Sequence, residues 1–265
     1  MPSWALLGEL RHDVPETRAV NSAEFVGSSR LLTACDDQRA YLWQLDRDNG
    51  VLRPPGDRSC LEVISGHHWL VMAARASPTD PDLVATVGFD GVVGLWRIGA
   101  GPERSLRDAD GENDPSFYSA CWSADGRYLW AGDDVGRVTC WDIVTGAIAE
   151  QFRMHAGMVT DCQCSSSGQM AFASNNEVVV RDNVTAQRTS WRVEGVDHIW
   201  RARWLDDEEL VIVTSADDVA WHTASGQRLA AAQTGREAWG LAVLAGGRVI
   251  VGTRNGALLA VDRPG

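Results

Sequence analysis

The residues that could support metal or redox chemistry are the cysteines, and their spacing argues against it. The chain has six of them, at positions 35, 60, 121, 140, 162 and 164. Cys162 and Cys164 are one residue apart in a strand-like run, so both side chains point to one face. This is poor disulfide geometry, and it does not match the CxxC spacing of redox and zinc sites. We therefore expect reduced, mostly buried thiols in a cytoplasmic protein, with no bound metal or cofactor.

A second possible metal site is the acidic segment 108–114, which offers several carboxylate oxygens of the kind that Ca²⁺ binds. The segment lacks the ordered ligand spacing of an EF-hand loop and its distal glutamate. A solvated turn is the interpretation that we favour.

Catalytic signatures are absent from the sequence. It contains no GxSxG nucleophile pattern, no HExxH metal pattern and no phosphate-binding GxxxxGK[ST] loop. All 24 basic residues are arginine, which excludes Schiff-base and lysine general-base chemistry. An enzyme is therefore the less favoured class of function.

The net charge of −12 argues against nucleic-acid and anionic-membrane partners. Nucleic-acid affinity comes largely from neutralising phosphates with basic side chains, and this chain has no basic run. It also has no stretch of 18 apolar residues, so no membrane-spanning helix is expected.

A pattern that returns about every 40 residues organises the chain. It consists of an apolar strand, a short turn, a second strand, a polar turn and a third strand that ends at an anchor residue; a fourth strand usually follows. The anchors are residues 43, 96, 141, 181, 221 and 261. Such a period is typical of supersecondary repeats that bury their apolar faces only against one another.

The residues of the second repeat resemble the WD-repeat β-propeller family. Gly66-His67 followed by Leu95-Trp96 is similar to the Gly-His to Trp-Asp frame of that family, and Trp141-Asp142 is the dipeptide itself. The resemblance implies a buried hydrogen-bonded tetrad, which one repeat matches in full with His67, Thr86, Asp90 and Trp96. His67 would bond to Thr86 and Asp90, and the Trp96 indole would complete the set.

Other repeats depart from the tetrad. The first keeps Thr33, Asp37 and Trp43 but offers no histidine. The fourth keeps His155 but has Asn175 and Arg181 where the aspartate and tryptophan would be.

The expected fold is a single all-β domain over 1–265, a six-bladed β-propeller of four-stranded antiparallel blades. The repeats are expected at 18–67, 68–115, 116–156, 157–196, 197–235 and 236–262. The sixth repeat shows three strands. We therefore expect segment 3–11 to close the ring by pairing with the third strand of the last blade.

Several large aromatic residues fall where the first strand of a repeat begins, at the predicted top face. They are Trp69, Tyr118, Trp200 and Trp239, with Phe89 in a turn on the same face. Aromatics inside a charged rim are a common hot-spot composition, so with His198 and Arg236 they form the predicted partner- or ligand-binding surface. Alternatively, they plug the central channel or pack between blades.

The resemblance implies a non-catalytic protein-interaction module or scaffold that uses the top face around the channel. We expect protein partners, a cytoplasmic location and a chain that is monomeric by itself. One alternative is a small-ligand-binding or catalytic propeller with its site at the channel mouth. Another is a regulatory sensor that works with a separate signalling or defence effector.

Overall fold

A computed structural model describes residues 19–48, 51–53, 60–107, 115–155, 157–216, 218–235, 237–244, 246–254 and 256–264. Within these residues every helix or strand element is a β-strand. The chain divides into two compact units, Met1–Phe117 and Tyr118–Gly265, which are described separately. A single domain across both stays a prediction.

The first unit contains two four-stranded antiparallel sheets and a short hairpin. Its strands are β1 (Val20–Val26), β2 (Arg30–Cys35), β3 (Arg39–Gln44), β4 (Asp46–Asp48), β5 (Val51–Arg53), β6 (Cys60–Ser65), β7 (Val71–Ala76), β8 (Leu83–Gly88), β9 (Val93–Arg97) and β10 (Gly101–Leu106). The sheets have the orders β1-β2-β3-β6, here blade 1, and β7-β8-β9-β10, blade 2. The β4–β5 hairpin lies in the insertion between the third and fourth strands of blade 1.

The second unit contains the remaining sheets. Its strands are β11 (Phe117–Trp122, whose first residue ends the first unit), β12 (Tyr128–Asp133), β13 (Arg137–Asp142), β14 (Ile148–Arg153), β15 (Val159–Cys164), β16 (Met170–Ser174), β17 (Glu177–Arg181), β18 (Arg188–Arg192), β19 (Ile199–Trp204), β20 (Glu209–Thr214), β21 (Asp218–Thr223), β22 (Arg228–Gln233), β23 (Ala238–Val243), β24 (Val249–Thr253) and β25 (Leu258–Val261). Successive groups of four form blades 3, 4 and 5, and β23-β24-β25 form blade 6.

The distribution of apolar and polar residues along the sequence explains these sheets. The middle strands are almost entirely buried: β16 is buried along its whole length, and β2 and β20 carry Leu32, Leu210 and Ile212 without solvent exposure. Outer strands such as β14 and β18 are mostly exposed and polar. Gly126, at a φ of 68°, provides the left-handed residue of the β11–β12 turn.

Within each unit, the first strands of some neighbouring blades pack against each other. β1 lies against β7 in the first unit, and β15 against β19 and β19 against β23 in the second. The apolar core lies between neighbouring sheets. Trp130, Phe152 and Phe172, for example, meet between blades 3 and 4 with ring centroids 5.4 to 6.4 Å apart.

The prediction of an all-β, six-bladed propeller is confirmed at the level of its six blade-like antiparallel sheets. The predicted closing strand at 3–11 and the acidic segment 108–114 lie outside the described residues. In the described part of the chain, blade 6 has three strands.

Candidate functional site

Four side chains of blade 2 form one continuous hydrogen-bond chain. Trp96 Nε1 donates to Thr86 Oγ1 at 2.7 Å, and His67 Nε2 lies 2.7 Å from the same oxygen. His67 Nδ1 lies 2.9 and 3.0 Å from the two carboxylate oxygens of Asp90. A carboxylate only accepts, so Nδ1 carries the proton, and Nε2 of the neutral ring accepts from the threonine hydroxyl. The tetrad is thus satisfied internally, the condition under which a buried polar network stabilises a fold.

The aspartate of the tetrad also fixes the connection around it. Asp90 accepts from the backbone N–H groups of His68 at 2.9 Å and Val92 at 3.2 Å. Burial is the largest influence on the pKa of Asp90 and raises it. The hydrogen bonds from His67, His68 and Val92 outweigh burial, so the pKa lies below its ordinary value. The carboxylate is therefore ionised at neutral pH and serves a structural role.

Blade 1 replaces the missing histidine with a tyrosine. Trp43 Nε1 donates to Thr33 Oγ1 at 2.8 Å, as in the tetrad, but the hydroxyl of Tyr41 donates to the carboxylate of Asp37. Burial, followed by this hydrogen bond, raises the pKa of Tyr41 to about 12. Sequence reasoning missed Tyr41; the available signal was a hydroxyl four residues after the aspartate, within the following strand.

Blade 4 replaces the missing aspartate with a glutamate. Glu177 is 2% exposed and accepts from the backbone N–H of His155 and from its ring Nδ1, both at 2.9 Å. The imidazole side chain itself is 73% exposed. The carboxylate stands two residues beyond Asn175, the position that spacing alone had indicated.

At the anchor of blade 4, an arginine takes the place of tryptophan and reaches the neighbouring blade. Arg181 lies with its guanidinium carbon 5.1 Å from the ring centroid of Trp130 and pairs with Glu150 at 2.7 Å. Arg188 pairs with the same glutamate at 2.9 Å and lies over Phe152. This group joins blades 3 and 4 with charge and aromatic contacts.

A second set of aromatic residues depends on an irregularity in the first strands. The pairing register shifts across the second residue of β1, β7, β15, β19 and β23. A bulge of this kind re-aims the side chain of the extra residue. In β19 and β23 that residue is Trp200 and Trp239, respectively.

The two bulged tryptophans meet in a short ladder of rings. Their centroids are 5.8 Å apart, His198 lies 5.1 Å from Trp200, and the guanidinium of Arg254 lies 5.2 Å from the centroid of Trp239. Arg254 also pairs with Glu237 at 3.0 Å. We call His198, Trp200, Trp239 and Arg254 the tryptophan patch.

The patch is solvent-accessible at one end and anchored at the other. Trp239 is 46% exposed, whereas Trp200 is half-buried against the core of blades 5 and 6. The backbone N–H of His198 donates to Ser215 Oγ at 3.1 Å. The buried ring Nδ1 of His198 has no hydrogen-bond partner among the described residues.

Small polar residues at the same bulge behave differently. In β1, Asn21 donates to the carbonyl oxygen of Val71 at 2.9 Å, and in β15, Thr160 donates to that of Ile199 at 2.6 Å. These bonds tie one blade to the next. In blades 5 and 6 the same position carries large aromatic rings, one of them open to solvent.

The other members of the predicted surface are dispersed or undescribed. Trp69 is 58% exposed and Phe89 half-buried in the first unit, where the backbone N–H of Phe89 donates to Leu70 at 3.0 Å. Tyr118, in the second unit, is half-buried, and burial followed by the nearby charge of Asp134 raises its pKa. Arg236 lies outside the described residues.

The cysteines of the described residues are all free thiols, and Cys60 is exposed, unlike the largely buried others. Across the described ranges, no group of three or more His, Cys, Asp and Glu side chains could hold a metal ion. In the same part of the chain, no helix is long and apolar enough to cross a membrane.

Comparison with known families places the tetrad in a familiar context. Residues 58–97 match the WD domain, G-beta repeat model, and this segment contains all four tetrad residues. Residues 58–97 thus form a WD repeat.

Three relatives illustrate the similarity of this protein to longer chains. It is 31% identical to Coronin-7 of Rattus norvegicus over 118 residues, 43% of this chain and 12% of that protein. It is 24% identical to Protein tipD of Dictyostelium discoideum over 197 residues, 61% of this chain and 32% of that protein. It is 22% identical to a subunit of Chromatin assembly factor 1 of Gallus gallus over 187 residues, 62% of this chain and 32% of that protein. The chain thus spans a third or less of the relatives it matches.

Proposed function

We propose that this protein is a cytoplasmic, non-catalytic interaction scaffold that binds a protein partner through the tryptophan patch. The observation that carries the proposal is the pair of bulged tryptophans. A large ring at this position leaves apolar surface in water, whereas Asn21 and Thr160 use the same position to bond neighbouring blades. Folding alone does not account for Trp239, which is 46% exposed.

The energetics of protein interfaces support the choice of these residues. Binding energy concentrates in a few large aromatic and arginine side chains near the centre of an interface. The patch presents two tryptophans side by side, with ring centroids 5.8 Å apart. Trp200 is held against the core of blades 5 and 6, so little side-chain freedom would be lost on binding.

The relatives support the class of function. WD-repeat proteins typically act as protein-interaction scaffolds, and one relative is named as part of a chromatin assembly factor. Nothing is carried over from that name except the general role in an assembly.

The test compares Trp239→Ala and a Trp200→Ala, Trp239→Ala double variant with a control at Val184. Val184 is 92% exposed in the turn after β17, at the opposite end of the strands from the bulges. Partners would be captured from the native host, identified by mass spectrometry and titrated by calorimetry against each purified variant.

We expect the tryptophan variants to keep their sheet content and to raise the Kd of the partner about 30-fold or more, corresponding to roughly 2 kcal/mol at a hot spot. Val184→Ala should bind as the wild type does. A partner lost by Val184→Ala and retained by the double variant would place the interface elsewhere.

A further inference from the structure

The tryptophan patch already holds one cation, and this identifies the chemistry that it accepts. The guanidinium of Arg254 lies 5.2 Å from the centroid of Trp239, within the range of a cation–π contact. Glu237 accepts from the same guanidinium at 3.0 Å. An aromatic face beside a carboxylate is thus occupied by an arginine of the chain itself.

We propose that the partner inserts an arginine side chain at the tryptophan patch, and that Arg254 occupies this position until the partner arrives. The inference rests on the proposed function, because it names the chemistry recognised by the same surface. The partner's guanidinium would lie over Trp239, beside the tilted ring of Trp200, and would pair with Glu237.

Arg254 is held weakly enough to be displaced. Its side chain is 63% exposed and that of Glu237 is 53% exposed, so water screens their ion pair. A cation–π contact at an exposed site is likewise modest. A partner that buries this region would strengthen the same contacts by removing water from them.

The charge of the protein decides between a basic and an acidic partner. The net charge is −12. Several arginines of the second unit pair with its own carboxylates, as Arg137 does with Asp133 and Arg263 with Glu209. An acidic segment would therefore meet net repulsion, whereas an arginine-bearing segment is attracted over a distance of about a Debye length.

Two roles for Arg254 give opposite signs when it is removed. If Arg254 bound an acidic group of the partner, Arg254→Ala would weaken binding. If it is the internal competitor, Arg254→Ala vacates the aromatic face and frees Glu237, and binding of an arginine probe becomes tighter. The sign of this change tests the proposal.

The probes are the capped tripeptide Ac-Gly-Arg-Gly-NH₂ and the same peptide with citrulline, the neutral isostere of arginine. Binding is followed by NMR at the indole N–H signals of Trp200 and Trp239, each assigned from its phenylalanine variant. Arg263→Ala is the matched control, because it also removes one arginine of the same unit from an ion pair, that with Glu209 at 2.8 Å. Arg254→Gln repeats the test with a side chain closer in length.

We expect Arg254→Ala and Arg254→Gln to lower the Kd of the arginine peptide about three- to tenfold, the scale of one exposed ion pair and cation–π contact. Arg263→Ala should give a smaller change. Glu237→Gln and Trp239→Ala should weaken binding, and the citrulline peptide should leave the indole signals unmoved.

Equal effects of Arg254→Ala and Arg263→Ala would overturn the proposal, since they would reflect net charge alone. So would weaker binding by folded Arg254 variants, or equal binding of the citrulline peptide. If these results occur while the tryptophan double variant still loses its captured partner, the arginine preference fails and the interaction surface stands.

Discussion

Replacing His67 with alanine is expected to destabilise the protein far more than replacing His155. In blade 2 the substitution removes two hydrogen bonds from buried groups, one to Thr86, which has no solvent exposure, and one to Asp90. The Thr86 hydroxyl loses its acceptor, at about 1–3 kcal/mol, and Asp90 keeps its two backbone donors but loses a hydrogen bond to its charge, at about 1.5–3 kcal/mol. The space left by the imidazole adds to this cost. We therefore expect a loss of roughly 3–5 kcal/mol in the free energy of unfolding.

His155→Ala is the matched control, because it removes a histidine from a similar place in blade 4. Its imidazole is 73% exposed, and the bond from the His155 backbone N–H to Glu177 remains in the alanine variant. A pair with one exposed member contributes about 0–1 kcal/mol. The two variants should thus differ by roughly 2–5 kcal/mol.

Urea denaturation followed by tryptophan fluorescence measures both values, with the slope of the transition as a check that the same unit unfolds. A His67→Ala, Thr86→Val double variant should lose less than the sum of the two single variants, because both disrupt one network. Acid dependence provides a second readout. Because the pKa of Asp90 is lowered, its contribution to the free energy of unfolding is present above its ordinary pKa, about 4, and is lost as the pH falls through the lowered value. His67→Ala should therefore make the loss of stability at acid pH smaller. Equal urea midpoints for His67→Ala and His155→Ala would refute this account of the tetrad.

Two further outcomes follow from buried groups of blade 5. Burial lowers the pKa of His222. Its contribution to stability is therefore present above about pH 6.5, the ordinary imidazole pKa, and is lost as the pH falls through the lowered pKa. His222→Phe should flatten the decline in melting temperature between pH 7 and 5, and an unchanged slope would contradict this prediction. The buried Trp221 Nε1 has no hydrogen-bond partner among the described residues, and Val213 stands where the tetrad has threonine. Val213→Thr should therefore lower the free energy of unfolding, measured in urea, by about 1 kcal/mol less than Val211→Thr, which changes a buried valine on the same face. Equal losses would show that the indole of Trp221 forms no hydrogen bond to the new hydroxyl.

Much of the fold could be predicted because strand formation is local. Alternating apolar residues, the Asp-Gly turn at 125–126 and the regular anchors place the strands to within a few residues. In the repeats expected at 116–156, 157–196 and 197–235, the first strands begin at Phe117, Val159 and Ile199.

The substitutes within the tetrads could not be predicted in the same way. Spacing identified Asn175 as the place for a carboxylate, but a carboxylate two residues further on, Glu177, reaches His155 instead. Spacing likewise marked Arg181 as a lost tryptophan. Its actual partners, Trp130 and Glu150, belong to the neighbouring blade, and no local rule relates residues that are 31 or more positions apart.

For the candidate site, the sequence by itself determined that large aromatic residues begin several of the first strands. Only the tertiary structure decided which of them lie in contact. The bulges re-aim Trp200 and Trp239, and the packing of β19 against β23 brings the two rings within 5.8 Å. Arg254 reaches Trp239 from the turn after β24. A repeat period is written in local patterns of hydrophobicity, whereas a binding surface depends on side-chain directions and on contacts between strands that are distant in the chain.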